Sequence, residues 1–110
     1  MNKNNFLGKW YISEMEMWDK NYIDAETKGY ILFNSNSSGE FQFGYIHGFL
    51  NCQYIKKNEN YTVKFIWEGN DECDNASGRG HCKIVNNKIY GNIIIDNRDN
   101  SDFTAIRQIT

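Results

Sequence analysis

The feature that most constrains this chain is the alternation of apolar and polar residues along short segments. In residues 61–67 a large apolar residue stands at every second position, at Tyr61, Val63, Phe65 and Trp67. Side chains of a β-strand point to alternate faces, so a period of two predicts a strand with one buried face. Proline is absent from the 110 residues, which leaves nothing to interrupt a hydrogen-bond ladder. The chain is therefore predicted to be all-β.

The same pattern predicts eight short strands. Clusters of Asn, Ser and Gly mark the turns, and the Asn pair at 86–87 suits the positive φ angles of a two-residue hairpin. Antiparallel neighbours need only hairpins, so we expect one domain over residues 1–110, an eight-stranded antiparallel up-and-down β-barrel. The connection at 18–28 has room for one short helix. The predicted strands are residues 11–17, 29–33, 40–45, 49–55, 61–67, 81–85, 88–95 and 103–107.

Two segments without apolar alternation are predicted to be connections. Residues 69–80 form the longest polar run and indicate a loop, and 47–48 offers a tight reversal. In the first strand the alternation puts Glu14 and Glu16 on the face of Ile12, about 7 Å apart. We expect that these two carboxylates can point into the barrel together.

The charged residues are distributed unevenly between the two ends of the predicted barrel. Alternate connections of an up-and-down barrel lie at the same end, so 18–28, 47–48, 68–80 and 96–102 share one mouth. These segments hold ten carboxylates and four cations, although the formal net charge of the chain is only -2. An acidic mouth attracts cations and basic partners and disfavours nucleic acid. We therefore expect a small molecule, a cation or a basic protein as the partner.

The two ends of the chain carry a known signature. Gly8 and Trp10 at the start of the first strand, with Arg107 in the last, resemble the Gly-x-Trp and Arg pattern of lipocalins and other calycins. The resemblance implies a barrel in which the indole of Trp10 plugs one end and the guanidinium of Arg107 lies across it. A cation over an aromatic ring stabilises by roughly 0.5 to 2 kcal/mol. Trp10 and Arg107 are thus expected to close the barrel structurally.

A second resemblance is to a family of small bacterial proteins without an assigned activity, and it covers most of the chain. This chain departs from that family's pattern at Cys73 and His81, where Met and an aromatic residue would be expected, which weakens any metal site there. The resemblance is carried by residues 14–19, 39–44, 67–72 and 77–80.

Four functions are compatible with the predicted mouth. The open end of an eight-stranded barrel is a common ligand cavity, which favours binding of a small molecule or cation. Alternatively, the acidic loops engage a basic protein, as an inhibitor or immunity-type protein would, with Trp18, Tyr22 and Ile23 as exposed anchors. The carboxylates can also be a solvated surface. The fourth function is that of an enzyme, with an acid/base set formed by Glu14, Glu16, Glu68 and His47.

We expect a binding module and not an enzyme, with no cofactor and no metal. Residues 71–74 are rich in oxygen ligands but lack the spacing and the glycine of a calcium loop. The residues predicted to bind the ligand are Glu14, Trp18, Asp19, Glu68, Asp71, Glu72, Arg79 and Asp99.

The three cysteines are too few and odd in number for a disulfide framework. We expect free thiols, with Cys52 and Cys82 buried as small apolar residues and Cys73, in the polar loop, as the most reactive thiol. The sequence shows neither a secretory signal nor an apolar run long enough to cross a membrane. These features predict a cytoplasmic protein.

Overall fold

The computed structural model describes residues 2–107; Met1 and residues 108–110 lie outside the described part. Eight strands form a closed antiparallel barrel in which each strand pairs with its predecessor and β1 pairs with β8, which confirms the predicted fold class. A short helix in the first long connection is also confirmed. The elements are a 3₁₀ turn at Lys3–Phe6, β1 Gly8–Met15, α1 Lys20–Ile23, β2 Tyr30–Phe33, β3 Ser38–Phe43, β4 Ile46–Lys57, β5 Asn60–Asp71, β6 Asp74–Val85, β7 Lys88–Ile95 and β8 Asn100–Arg107.

The inward positions of the strands fill the barrel with side chains. Aromatic rings and isoleucines alternate with outward polar residues, and the buried apolar residues are only 0–8% exposed. Burying such side chains contributes roughly 1.5–3 kcal/mol each. The largest of those that are fully buried are Trp10, Phe6, Phe33, Phe41, Phe43, Ile12, Ile23, Ile31, Ile46, Ile89 and Ile93.

The predicted loop at 69–80 is wrong, because this segment completes the long hairpin of β5 and β6. β5 runs to Asp71 and β6 starts at Asp74. The inward residues of β6 include Gly78 and Gly80, and a Cβ atom there would lie 2.8 Å from the indole nitrogen of Trp67 or 2.5 Å from the ring of Phe65. The rings of β5 thus occupy the space that β6 leaves empty. A strand built this way shows no apolar alternation in its sequence.

The turn between β3 and β4 lies at 44–45 and not at 47–48. Gly44 takes a φ of 58°, which suits a glycine in a tight turn. Gly48 belongs to β4 and faces inward, where a Cβ atom would come within 2.7 Å of the rings of Phe41 and Trp67. Asn86 and Asn87 have φ angles of 53° and 64°, which confirms the predicted hairpin.

The predicted orientation of β1 is wrong. A register shift between Ile12 and Glu14 lets one extra residue into the strand, so that Ile12 and Met15 both point inward. Glu14 and Glu16 are exposed on the outside of the barrel. The barrel interior therefore receives no carboxylate from β1. No helix within residues 2–107 is long and apolar enough to cross a membrane.

Candidate functional site

The two ends of the barrel differ in length of connection and in charge. We call the end with the 3₁₀ turn and the turns at 34–37, 58–59 and 86–87 the closed end. The opposite end, the mouth, consists of residues 16–29, 44–45, 71–74 and 96–99. Its cations are Lys20, Lys28 and Arg98, and its carboxylates are Glu16, Asp19, Asp24, Glu26, Asp71, Glu72, Asp74, Asp96 and Asp99.

Trp10 and Arg107 meet at the closed end. The indole nitrogen of Trp10 donates a hydrogen bond of 2.8 Å to the carbonyl of Phe6, whose ring covers the interior. The guanidinium carbon of Arg107 lies 3.9 Å from the centre of the Trp10 ring. Arg107 also donates to the carbonyls of Leu7 and Asn5, and its burial lowers its pKa. The guanidinium thus ties the 3₁₀ turn to the last strand.

The mouth is covered by four aromatic rings that run from the barrel interior to the surface, which we call the aromatic column. Phe43 lies at its inner end, with its ring centre 4.9 Å from that of Trp18. Trp18 stacks on Tyr22 at 6.1 Å, and Tyr22 meets Tyr45 edge-on at 6.0 Å. Trp18 and Tyr22 are half-buried and Ile23 is fully buried, so the prediction of exposed anchors is wrong. The exposed ring is that of Tyr45, at 40% exposure.

Helix α1 holds the column in place. The carboxylate of Asp19 caps the helix by accepting a hydrogen bond of 3.0 Å from the amide of Tyr22. Ile23 at the other end is fully buried, and its carbonyl accepts from the amide of Gly44 at 2.9 Å. The helix therefore bridges β1 and the turn that carries Tyr45. Asp19 is occupied by this capping role.

Several mouth carboxylates are already paired. Arg98 reaches across the mouth to Asp71 at 2.8 Å and lies 3.8 Å from Asp99, and the hydrogen bond to Asp71 raises the pKa of Arg98. Burial alone would raise the pKa of Asp24, but hydrogen bonds from Lys20 and from the Gly29 amide lower it below the ordinary value. These groups form part of the structure of the mouth.

Glu72 and Asp74 are the exposed carboxylates at the tip of the β5–β6 hairpin. Neither carboxylate has a hydrogen-bond or ion-pair partner within the described residues. Glu72 takes a φ of 54°, and its amide donates to the carbonyl of Tyr45 at 3.1 Å. This backbone bond holds the tip of the β5–β6 hairpin against the turn that carries the exposed ring of Tyr45.

The structure divides the predicted ligand-binding residues into two groups. Three of them lie on the outer wall, each in a separate groove: Glu14 in one of about 620 Å³, Glu68 in one of about 610 Å³ and Arg79 in one of about 480 Å³. The residues that lie together at the mouth are Trp18, Asp19, Asp71, Glu72 and Asp99.

The predicted acid/base set does not assemble, because His47 has a different partner. His47 lies on β4, and its Nε2 atom is 2.8 Å from a carboxylate oxygen of Glu40, which also accepts from the hydroxyl of Tyr30 at 3.0 Å. The contact with His47 lowers the pKa of Glu40, while burial and the Glu40 carboxylate raise that of Tyr30 to about 12. Glu14 and Glu68 lie on other strands.

Sequence reasoning missed Tyr45 as a surface residue, because it placed Tyr45 in the third strand beside Phe41 and Phe43. The signal that could have found it is Gly44, a residue suited to a turn directly before it. Phe49 and Ile66 are exposed on the outer wall, and for Ile66 the alternation of residues 61–67 predicts this outward face.

The cysteines follow the prediction, with Cys52 and Cys82 buried and Cys73 exposed, all three unpaired. Burial raises the pKa of the Cys52 thiol to about 11 and that of Cys82 further. Among residues 2–107, three or more His, Cys, Asp or Glu side chains are nowhere grouped in a way that could hold a metal ion. No family model, no curated protein and no solved structure matches the chain.

Proposed function

We propose that this protein is a binding module whose acidic mouth engages a basic surface of a partner protein. The observation that carries the proposal is the exposed ring of Tyr45 at the outer end of the aromatic column, in a turn that is hydrogen-bonded to the hairpin tip with the unpaired carboxylates of Glu72 and Asp74. Tyrosine is enriched among the residues that dominate protein interfaces, because it adds a large ring and a hydroxyl at low entropic cost.

The filled interior favours a protein over a small molecule as the partner. A carrier of the lipocalin type needs room between its strands and an open mouth. In the described part of the chain the buried apolar residues fill the interior, and the aromatic column covers the mouth. What the mouth offers is therefore an outer surface of carboxylates around Tyr45.

The charge of this surface favours a basic partner. Nine carboxylates and three cations lie at the mouth, and Glu72 and Asp74 at its hairpin tip have no internal partner in residues 2–107. Complementary charge speeds association and rejects partners of like charge. A basic protein surface would bring Lys or Arg side chains to these two carboxylates while it covers Tyr45.

The test compares two charge reversals of equal size in a capture experiment on a lysate of cells that express the protein. The variant Glu72→Lys/Asp74→Lys changes the mouth, and the control Glu14→Lys/Asp102→Lys changes the outer wall by the same net charge. We expect the wild type and the control to capture the same basic protein and the mouth variant to lose it. Equal capture by both variants would contradict the proposal.

A second candidate is a cationic small molecule bound in the groove of about 620 Å³ on the outer wall. The groove combines the ring of Tyr90 with carboxylates from β1 and β8, including that of Glu14. Amines bind to such combinations through ion pairs and contact with the ring. A thermal shift by a diamine or polyamine that Glu14→Gln reduces and Glu72→Gln leaves unchanged would support this candidate.

A further inference from the structure

The outer wall of β4 and β5 carries the two most exposed large apolar side chains of the described residues. Phe49 is 58% exposed and Ile66 is 63% exposed. Phe49 stands opposite Glu68 and Ile66 stands opposite Asn51, so the two apolar residues are diagonal neighbours on one face of the sheet. Apolar side chains clustered on a wall point to an interaction surface.

The charges on β5 are arranged with opposite signs around Ile66. Lys64 and Glu68 lie two residues before and two residues after Ile66 on the same outward face. Their Cα atoms are about 13 Å apart along the strand, too far for the two side chains to form a close ion pair. Within residues 2–107 neither side chain makes an ion pair or a hydrogen bond. The strand therefore presents an unpaired cation, an apolar centre and an unpaired carboxylate in line.

We propose that this wall joins two copies of the chain around a twofold axis that crosses β5 at Ile66. A twofold axis in the plane of contact reverses the direction of β5 in the second copy, because such an interface is formed by the same patch on both subunits. Ile66 then packs on Ile66 of the second copy, and Lys64 of each copy faces Glu68 of the other. The twofold rotation therefore forms two Lys64–Glu68 ion pairs, one on each side of the axis.

The neighbouring strand fits the same arrangement. On β4, Gln53 stands beside Lys64 and Phe49 stands beside Glu68. The rotation that brings Lys64 to Glu68 of the other copy also brings Gln53 and the stem of Lys64 alongside the Phe49 ring. A cation next to an exposed aromatic ring is favourable. Arg79 on β6 stands opposite Ile66, and its long side chain can keep the guanidinium in solvent at the rim of the contact.

A second copy is the occupant because the patch is complementary to itself. A purely basic partner would place a cation opposite Lys64, and a purely acidic partner would place a carboxylate opposite Glu68. Both contacts would be repulsive. Around Ile66, β5 is paired with β4 on one side and β6 on the other, so a peptide cannot add a strand there and the contact must form face to face. The dimer goes beyond the binding function proposed above and uses a different surface, so both mouths stay accessible.

The experiment measures self-association of the full chain by sedimentation velocity from about 1 µM to about 1 mM. We expect a concentration-dependent dimer for the wild type. Lys64→Glu and Glu68→Lys each weaken it at least about tenfold, since each places like charges opposite one another. An equimolar mixture of these two variants recovers the dimer as a heterodimer, because every reversed charge then faces its opposite. That recovery also shows that both variants are folded.

Three outcomes would overturn the dimer: a wild type that stays monomeric over the whole range, a dimer unaffected by either reversal, or a mixture that fails to recover. Ile66→Lys is a further test, with Ile106→Lys on β8 as its matched control; only the former should weaken the dimer, and equal effects would count against it. Glu72→Lys/Asp74→Lys leaves this wall intact and should not change the dimer. Failure of the mouth proposal and failure of the dimer are therefore distinguishable.

Discussion

The two ends of the barrel are both sealed by aromatic side chains, but the seals are reinforced differently. At the closed end the ring of Trp10 lies under one guanidinium, which also bonds two carbonyls of the 3₁₀ turn. At the mouth the aromatic column is surrounded by carboxylates, and Arg98 pairs with Asp71 across it. At the closed end, the side-chain donors of Trp10 and Arg107 bond to backbone carbonyls, whereas charged side chains at the mouth stay exposed to solvent.

The difference teaches how one fold separates stability from recognition. Buried rings and backbone hydrogen bonds hold the closed end without regard to salt or pH. Charges near solvent contribute little to stability, since water screens them, yet they attract a partner at long range. We therefore expect substitutions at the closed end to change unfolding and substitutions at the mouth to change binding.

The largest expected effect comes from removing the indole at the closed end. Trp10 is 2% exposed, so Trp10→Ala should lower the free energy of unfolding by about 3–5 kcal/mol, as for other buried large aromatic residues. Trp18→Ala at the mouth should cost about half as much, because solvent already reaches part of that ring. Urea unfolding followed by circular dichroism measures both. Equal losses would break the comparison between the two ends.

The guanidinium of Arg107 should come next in size. Arg107→Met keeps the length of the side chain but removes the cation over Trp10 and the donors to Leu7 and Asn5, so we expect a loss of about 1–2 kcal/mol. Arg107→Lys should recover only part of it, because an ammonium lacks the planar fork that reaches both carbonyls. Full stability of Arg107→Lys in the same urea measurement would contradict this prediction, because it would mean that the positive charge alone stabilises the closed end.

The ion pair across the mouth should contribute less. Asp71→Asn and Arg98→Gln should each cost about 0.5–1 kcal/mol, since the Arg98 side chain is half exposed and water screens the pair. A double-mutant cycle at low salt and at about 1 M salt separates the pair from other effects. The coupling should fade at high salt. A coupling that survives high salt would mean that the mouth is as dry as the closed end.

The smallest expected effect is the loss of the Asp24 contact in acid. Because the folded pKa of Asp24 lies below the ordinary value of 3.8, its contribution is present above that value and is lost as pH falls through the folded pKa. The amide signal of Gly29, which donates to Asp24, should titrate in this range by NMR. Asp24→Asn should abolish the titration. The amide signals of residues at the closed end should not change over this pH range.

The sequence predicts the fold wherever the inward positions carry large side chains. The segments that became β5 and β7 alternate clearly, and the Asn pair between β6 and β7 identifies its hairpin. The part of β6 before His81 escapes prediction because Gly78 and Gly80 leave space for rings that come from β5. The orientation of β1 escapes it because one extra residue after Ile12 shifts the alternation, and no local pattern reveals such a shift.

The candidate site is predictable in charge but not in geometry. The excess of carboxylates at one end follows from counting alternate connections. Which of them are free depends on contacts between residues far apart in sequence, such as the reach of Arg98 to Asp71. The exposure of Tyr45 depends on a turn that lies three residues earlier than the predicted one. The contact of Arg98 with Asp71 leaves no local trace in the sequence, whereas Gly44 is a local signal of the turn.

Because Trp10 in β1 pairs with Arg107 in β8, the barrel can close only after the last strand has been synthesised. A ribosome releases β1 first and β8 last, so until β8 emerges both β1 and β7 lack a neighbour on one side. Unpaired strand edges are the part of a nascent sheet most exposed to association with other chains. The last strand therefore removes two such edges in one late step, and a ribosome that stalls before it leaves the sheet open and in need of a chaperone.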